Sequence, residues 1–290
     1  MSNAHGPSDY YIPEPSRWPF VAMFSVFLFV LGAAMGMNGL TIGVVTMFAG
    51  LGLLAYMFFG WFGDVVEENL TGKYNAKVDI SFRQGMFWFI ASEVFFFATF
   101  FGSLYYIREI SVQWLGGVGY LGSTAEFLTN QFQPAWPTSG PQNLGGGYEQ
   151  MGAWGIPALN TAILLTSGLT VTWAHWGLKN DNNKQLVNGL ILTVILGFIF
   201  VGMQAYEYMH AYHALNLTLQ SGVYGSTFYI LTGFHGFHVI VGSVMLLAVL
   251  MRARKKHFSS HNHFAFEAAA WYWHFVDVVW LGLFIFVYWM

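Results

Sequence analysis

Seven apolar stretches, at 18–37, 40–62, 82–107, 154–178, 186–208, 223–251 and 264–290, dominate this sequence. Each reaches the roughly 20 residues that a helix needs to cross a hydrocarbon core. Only 9% of the 290 residues are charged, against about a quarter in an ordinary soluble domain. A chain with so few charges could not cover its own surface in water. The sequence therefore predicts an all-α membrane protein with seven transmembrane helices.

The cations between the spans set the orientation. With the N-terminus on the cytoplasmic side, the inner segments hold Arg17, Lys73, Lys77, Arg83, Lys179, Lys184, Arg252, Arg254, Lys255 and Lys256, which leaves only Arg108 outside. The positive-inside rule predicts this bias, and adding or removing one span would destroy it. The expected order is a cytoplasmic arm at 1–17, helices one and two over 18–66, a cytoplasmic loop at 67–81, and helices three to seven over 82–290. A long outer loop at 108–153, rich in Gly, Pro and Asn, is expected to cap the outer face. The polar N-terminal arm has neither a secretory nor a transit-peptide pattern, and is expected to be retained.

Composition excludes whole classes of function. The net charge of −3 gives nucleic acid no footing, and there is no cysteine. Disulfides, thiolate metal sites, iron–sulfur clusters and covalently attached haem are thereby ruled out. No Gly-rich phosphate loop, nucleophile constellation or complete ligand set for a metal or haem stands out.

Ionisable groups at membrane depth are the functional candidates, since each must find a partner or lose its charge. Glu93 lies near the middle of the aromatic third span. It reads either as a proton-linked carboxyl or as a hydrogen-bonded link between helices, and both readings stay open. His235 and His238, three apart in "TGFHGFHVIVG", share a helix face; flanking glycines favour a packing role over a metal or haem site. His274 and Asp277 in "WYWHFVDVVWLG" read as an internal polar pair. Glu207, His210 and His213 end the fifth span, where a solvated helix end is preferred to a zinc site. "RARKKHF" at 252–258 is a topology signal and also an attractor of anionic headgroups.

With these residues in view, "ASEVFFFATFF", "PALNTAILLTSGLTVTWAHWGL", "SGVYGSTFYILTGFHGFHVIVGS" and "HFAFEAAAWYWHFVDVVWLGLFIFVYW" closely resemble subunit III of cytochrome c oxidase. The resemblance implies an accessory core subunit of a haem–copper oxidase. Haem a and copper would sit in partner subunits, and this chain would carry no cofactor beyond bound phospholipid. Helices one and two and helices three to seven would form two bundles around a V-shaped, lipid-filled cleft. The subunit would pack on subunit I, with subunit II in the same complex, and support proton uptake. Glu93 matches the family's buried glutamate in helix three. Trp61, Arg252, Lys255 and His257 match its headgroup-contacting positions. His235, His238, Glu267, His274 and Asp277 match its polar positions in the last two helices.

The departures also carry information. Mitochondrial members have Trp-Trp-Arg-Asp after helix two and a further Arg three residues on. Here "WFGDVVE" keeps Trp61 and Asp64 but has Phe62, Gly63 and Glu67. Gly102 and Tyr106 stand where those members have Trp and His. These differences point to a bacterial cytoplasmic membrane. Two alternatives are the equivalent subunit of a quinol oxidase and, from a different class, an independent proton-linked transporter built around Glu93. Against the transporter, the sequence shows no inverted repeat or paired broken helices.

Overall fold

The computed structural model describes residues 10–119, 132–143 and 146–290. Among these residues the architecture is wholly helical, with seven helices long and apolar enough to cross a membrane. They are α1 (Trp18–Met37), α2 (Thr41–Leu70), α3 (Ala76–Leu115), α4 (Ile156–Lys179), α5 (Asn183–His213), α6 (Gly222–Arg254) and α7 (Phe264–Trp289). Local chemistry sets their ends. Pro19 and Pro157 stand in the first turns of α1 and α4, where a missing N–H costs nothing. The Asn182 side chain caps α5 by accepting from the Gln185 N–H.

The third helix differs from expectation. The apolar run predicts 82–107, whereas α3 extends over 40 residues, about twice what a bilayer requires. Its polar first turns continue the helix below the apolar run. At the other end a π-helical turn, Tyr106–Ser111, carries the chain on into Val112–Leu115, so the predicted outer loop starts later than residue 108. A second π-helical turn, Phe284–Trp289, closes α7.

The chain divides into two compact units, Met1–Gln84 and Gly85–Met290. In the first, α1 and α2 form an antiparallel hairpin whose backbones nearly touch. A Cβ on Gly32 would run into the backbone of Met47, so only glycine permits that approach. Trp18 is buried, and its Nε1 donates to Asp64 Oδ2 at 2.6 Å. The N-terminal arm is fastened at the far end of α2. Tyr11 and Tyr74 donate their hydroxyls to the two oxygens of Glu68, each at 2.7 Å.

In the second unit α7 is the central element, with Trp273, Trp280, Phe266 and Leu283 fully buried. Polar links tie it to its neighbours, as expected where lipid offers no hydrophobic drive for helix association. Trp273 Nε1 donates to Ser167 Oγ and Trp280 Nε1 to Thr161 Oγ1 on α4, both at 2.9 Å. Thr170 meets Thr193 between α4 and α5 at 2.8 Å, and Tyr208 meets Thr232 between α5 and α6 at 2.7 Å. Many large apolar side chains face outward, among them Leu169, Phe237 and Val278, which suits a hydrocarbon surround. Part of the outer loop rests on the α5–α6 connection, through Glu149 N to Leu215 O at 2.9 Å and Asn216 Nδ2 to Gly147 O at 2.8 Å.

Candidate functional site

Near the middle of α3, Glu93 meets one specific partner: its Oε2 lies 3.0 Å from His238 Nε2 on α6. The other ring nitrogen, Nδ1, is 2.6 Å from the carbonyl oxygen of Phe234. A carbonyl can only accept, so Nδ1 carries a hydrogen. Nε2 and the carboxyl must then share one further proton, either as a carboxylic acid donating to a neutral imidazole or as a carboxylate paired with an imidazolium. Aromatic rings surround the pair. Phe97 lies 5.0 Å, Phe96 5.9 Å and Tyr272 6.3 Å from the imidazole, centroid to centroid. The geometry can hold a single proton between α3 and α6 in a nearly dry setting.

His235, one turn before His238, serves a different contact. It is buried among Phe200 and Trp280, and its Nε2 donates to the Val276 carbonyl on α7 at 3.2 Å. The two histidines thus bind separate partners rather than a common ligand. Asp277 is buried on α7, with Oδ2 3.6 Å from His274 Nδ1. It occupies the space over Gly168 of α4, where any Cβ would collide with the carboxylate. His274 also reaches Thr172 Oγ1 at 3.3 Å, so this pair joins α7 to α4.

The end of α5 needs a correction. A solvated helix terminus was expected for Glu207, His210 and His213. The two histidines are exposed, but Glu207 is fully buried and accepts the Tyr288 hydroxyl at 2.6 Å. The α7 π-helical turn supplies that tyrosine, and nothing in the spacing of the α5 residues announces it.

At the opposite, basic end of this unit, Arg252 lays its guanidinium over the Phe258 ring at 4.6 Å, a cation–π contact. Lys255 is exposed. His257 is held below its ordinary pKa by burial first and then by Arg252 and Lys255. Trp61, in the other unit, is exposed on α2. Glu267, in the first turn of α7, gathers two histidines that sequence reasoning did not single out. His263 Nε2 lies 3.2 Å and His175 Nε2 3.6 Å from its Oε1. The i,i+4 spacing of His263 and Glu267 was the available signal; His175 comes from α4 and had none.

Fold and site together define a seven-helix integral membrane protein in which several intramembrane polar side chains link one helix to another. The comparisons narrow this class. The family model described as Cytochrome c oxidase subunit III matches residues 8–119 and 125–290. Curated relatives named cytochrome c oxidase subunit 3, from Carassius auratus, Scyliorhinus canicula and Tetraodon nigroviridis, are each 40% identical over 287 residues, covering 99% of this chain and 98% of theirs. The chain belongs to the cytochrome c oxidase subunit III family.

Proposed function

We propose that this chain is the cofactor-free third subunit of a respiratory oxidase that takes electrons from cytochrome c and reduces oxygen to water, coupled to proton pumping. The observation that carries the reading is the family match along nearly the whole chain. It favours neither the quinol-oxidase nor the transporter alternative. In this reading the subunit packs directly on subunit I, with subunit II in the same complex, and haem a and copper belong to those partners. Its work is to stabilise subunit I and sustain proton uptake. The exposed apolar faces of the helices supply ample surface for such packing.

Within that role, Glu93 and His238 act as a helix-to-helix link that holds a proton, rather than as a catalytic base. Arg252, Lys255 and His257, with Trp61, are headgroup contacts for bound phospholipid. Clustered cations near a membrane surface attract anionic headgroups at about 1 kcal/mol each, and Arg252 is pre-positioned by Phe258. The bias of Lys and Arg toward alternate connecting segments supports a cytoplasmic N-terminus. Departures from the mitochondrial pattern at Phe62, Gly63, Glu67, Gly102 and Tyr106 support a bacterial cytoplasmic membrane.

Capture through a tag on this chain in mild detergent, from its own host, tests the reading. Copurifying haem a absorbance, with oxygen uptake on reduced cytochrome c, is the expected result. A colourless protein without partners, or a complex oxidising only quinol, would overturn it.

A further inference from the structure

We propose that His175, His263 and Glu267 form a binding site for a divalent transition-metal ion of the zinc class, at the basic end of the helical bundle. The site goes beyond the subunit assignment, since it adds a ligand that a cofactor-free subunit does not need.

The three residues come from two helices. His175 lies one turn before the end of α4, His263 immediately precedes α7, and Glu267 is in the first turn of α7. One ligand atom from each lies within 4.8 Å of the others. A tetrahedral zinc ion, with N and O ligands at about 2.0–2.1 Å, sets its ligand atoms about 3.3 Å apart. The two distances to Glu267 Oε1, 3.2 Å from His263 Nε2 and 3.6 Å from His175 Nε2, bracket that separation. Two imidazoles and a carboxylate form a donor set that zinc takes and that other first-row divalent ions share.

The orientation of His263 is the second observation. Its Nδ1 lies 3.0 Å from the Ser259 carbonyl oxygen, which can only accept, so Nδ1 carries a hydrogen and Nε2 is the nitrogen turned toward the carboxylate. Metal-bound histidines characteristically donate their other N–H in this way, which fixes the ring. His175 Nε2 is buried and has no hydrogen-bond partner. Two imidazole nitrogens thus face one carboxylate oxygen. A proton on His263 would satisfy one contact, whereas a single cation satisfies both.

The surroundings hold this arrangement in place. The His175 ring packs on Phe266 at 5.3 Å and on His263 at 5.9 Å. The connection from α6 to α7 is fastened separately, where Ser260 donates its N–H and hydroxyl to the Asp181 carboxylate at 3.0 and 2.9 Å. One charge opposes the ion. Lys179, one turn beyond His175, is exposed, and its charge acts on the imidazole. Its flexible stem lets the ammonium stay in water.

The test uses the intact complex purified through this chain, stripped with chelator and titrated with zinc chloride alone. Zinc content is read by elemental analysis, and coordination by X-ray absorption at the zinc edge. We expect one zinc equivalent to be lost or weakened on the order of a hundredfold in His175→Ala and in His263→Ala, since even outer-shell partners are worth about 10–100-fold. The exposed neighbour His261→Ala keeps that equivalent. Lys179→Met is expected to tighten it severalfold, a gain that misfolding cannot produce. Unchanged zinc affinity and stoichiometry in both histidine variants, with normal haem spectrum and subunit content, would overturn the site. So would an unaltered affinity in Lys179→Met if the histidine variants fail to assemble. Absence of haem in the captured material speaks against the subunit reading instead, so the two failures are distinguishable.

Discussion

Two carboxylate–histidine sites in the same unit use one kind of contact to opposite ends. At the middle of α3, Glu93 meets His238 among phenylalanine rings. At the basic end, Glu267 meets His263 and His175 beside Lys179. In both, a backbone carbonyl takes the Nδ1 hydrogen and leaves Nε2 toward the carboxyl. The first has one imidazole and a dry wall, so it can hold a proton and little else. The second has two imidazoles facing one carboxylate oxygen, so it can take a cation in place of a proton. The surroundings, more than the residue types, set what such a pair can do.

The largest effect expected from this contrast is in the dry site. His238→Leu leaves the Glu93 carboxyl without its partner, which costs about 1–3 kcal/mol. A lower denaturation midpoint for the complex, or loss of this subunit during purification, is the readout. Glu267→Ala should cost less in the same assay, because the two imidazoles that it leaves behind can stay neutral. Equal losses at the two sites would break the comparison. A smaller effect lies outside the bundles, where Tyr11 fastens the N-terminal arm to Glu68. Burial first, and then the Glu68 hydrogen bond, push the Tyr11 pKa up to about 12. A tyrosine with a raised pKa lends its full stabilisation below the ordinary value near 10 and loses it as pH climbs toward 12. Limited proteolysis of the arm should therefore accelerate over that window, and the acceleration should shrink in Glu68→Ala, which lacks the acceptor of the Tyr11 hydroxyl.

How much of this was legible in the sequence follows from the length scale of each signal. Seven helices could be read because membrane spans are long and every residue in them contributes. The 40-residue reach of α3 could not, since its ends are polar turns that hydropathy treats as loop. Glu93, His235, His238 and Asp277 were visible as ionisable residues inside apolar runs, and Glu267 through the family resemblance. Their partners were not visible. His238 lies 145 residues from Glu93, and no local pattern pairs them. Glu207 was misjudged for the same reason, because its burial depends on Tyr288 at the far end of the chain. His175 escaped notice because its neighbours come from another helix.

The central claim is that the intramembrane polar groups hold this subunit together and take no part in the chemistry. The most direct measurement is steady-state oxygen uptake by the complex carrying Glu93→Gln. Glutamine can donate its amide to the His238 Nε2 lone pair, so the link between α3 and α6 survives. Normal haem and subunit content, with turnover within about a factor of two of the unmodified complex, is the predicted result. Abolished turnover in a fully assembled complex would contradict the account and place Glu93 on an obligatory proton path.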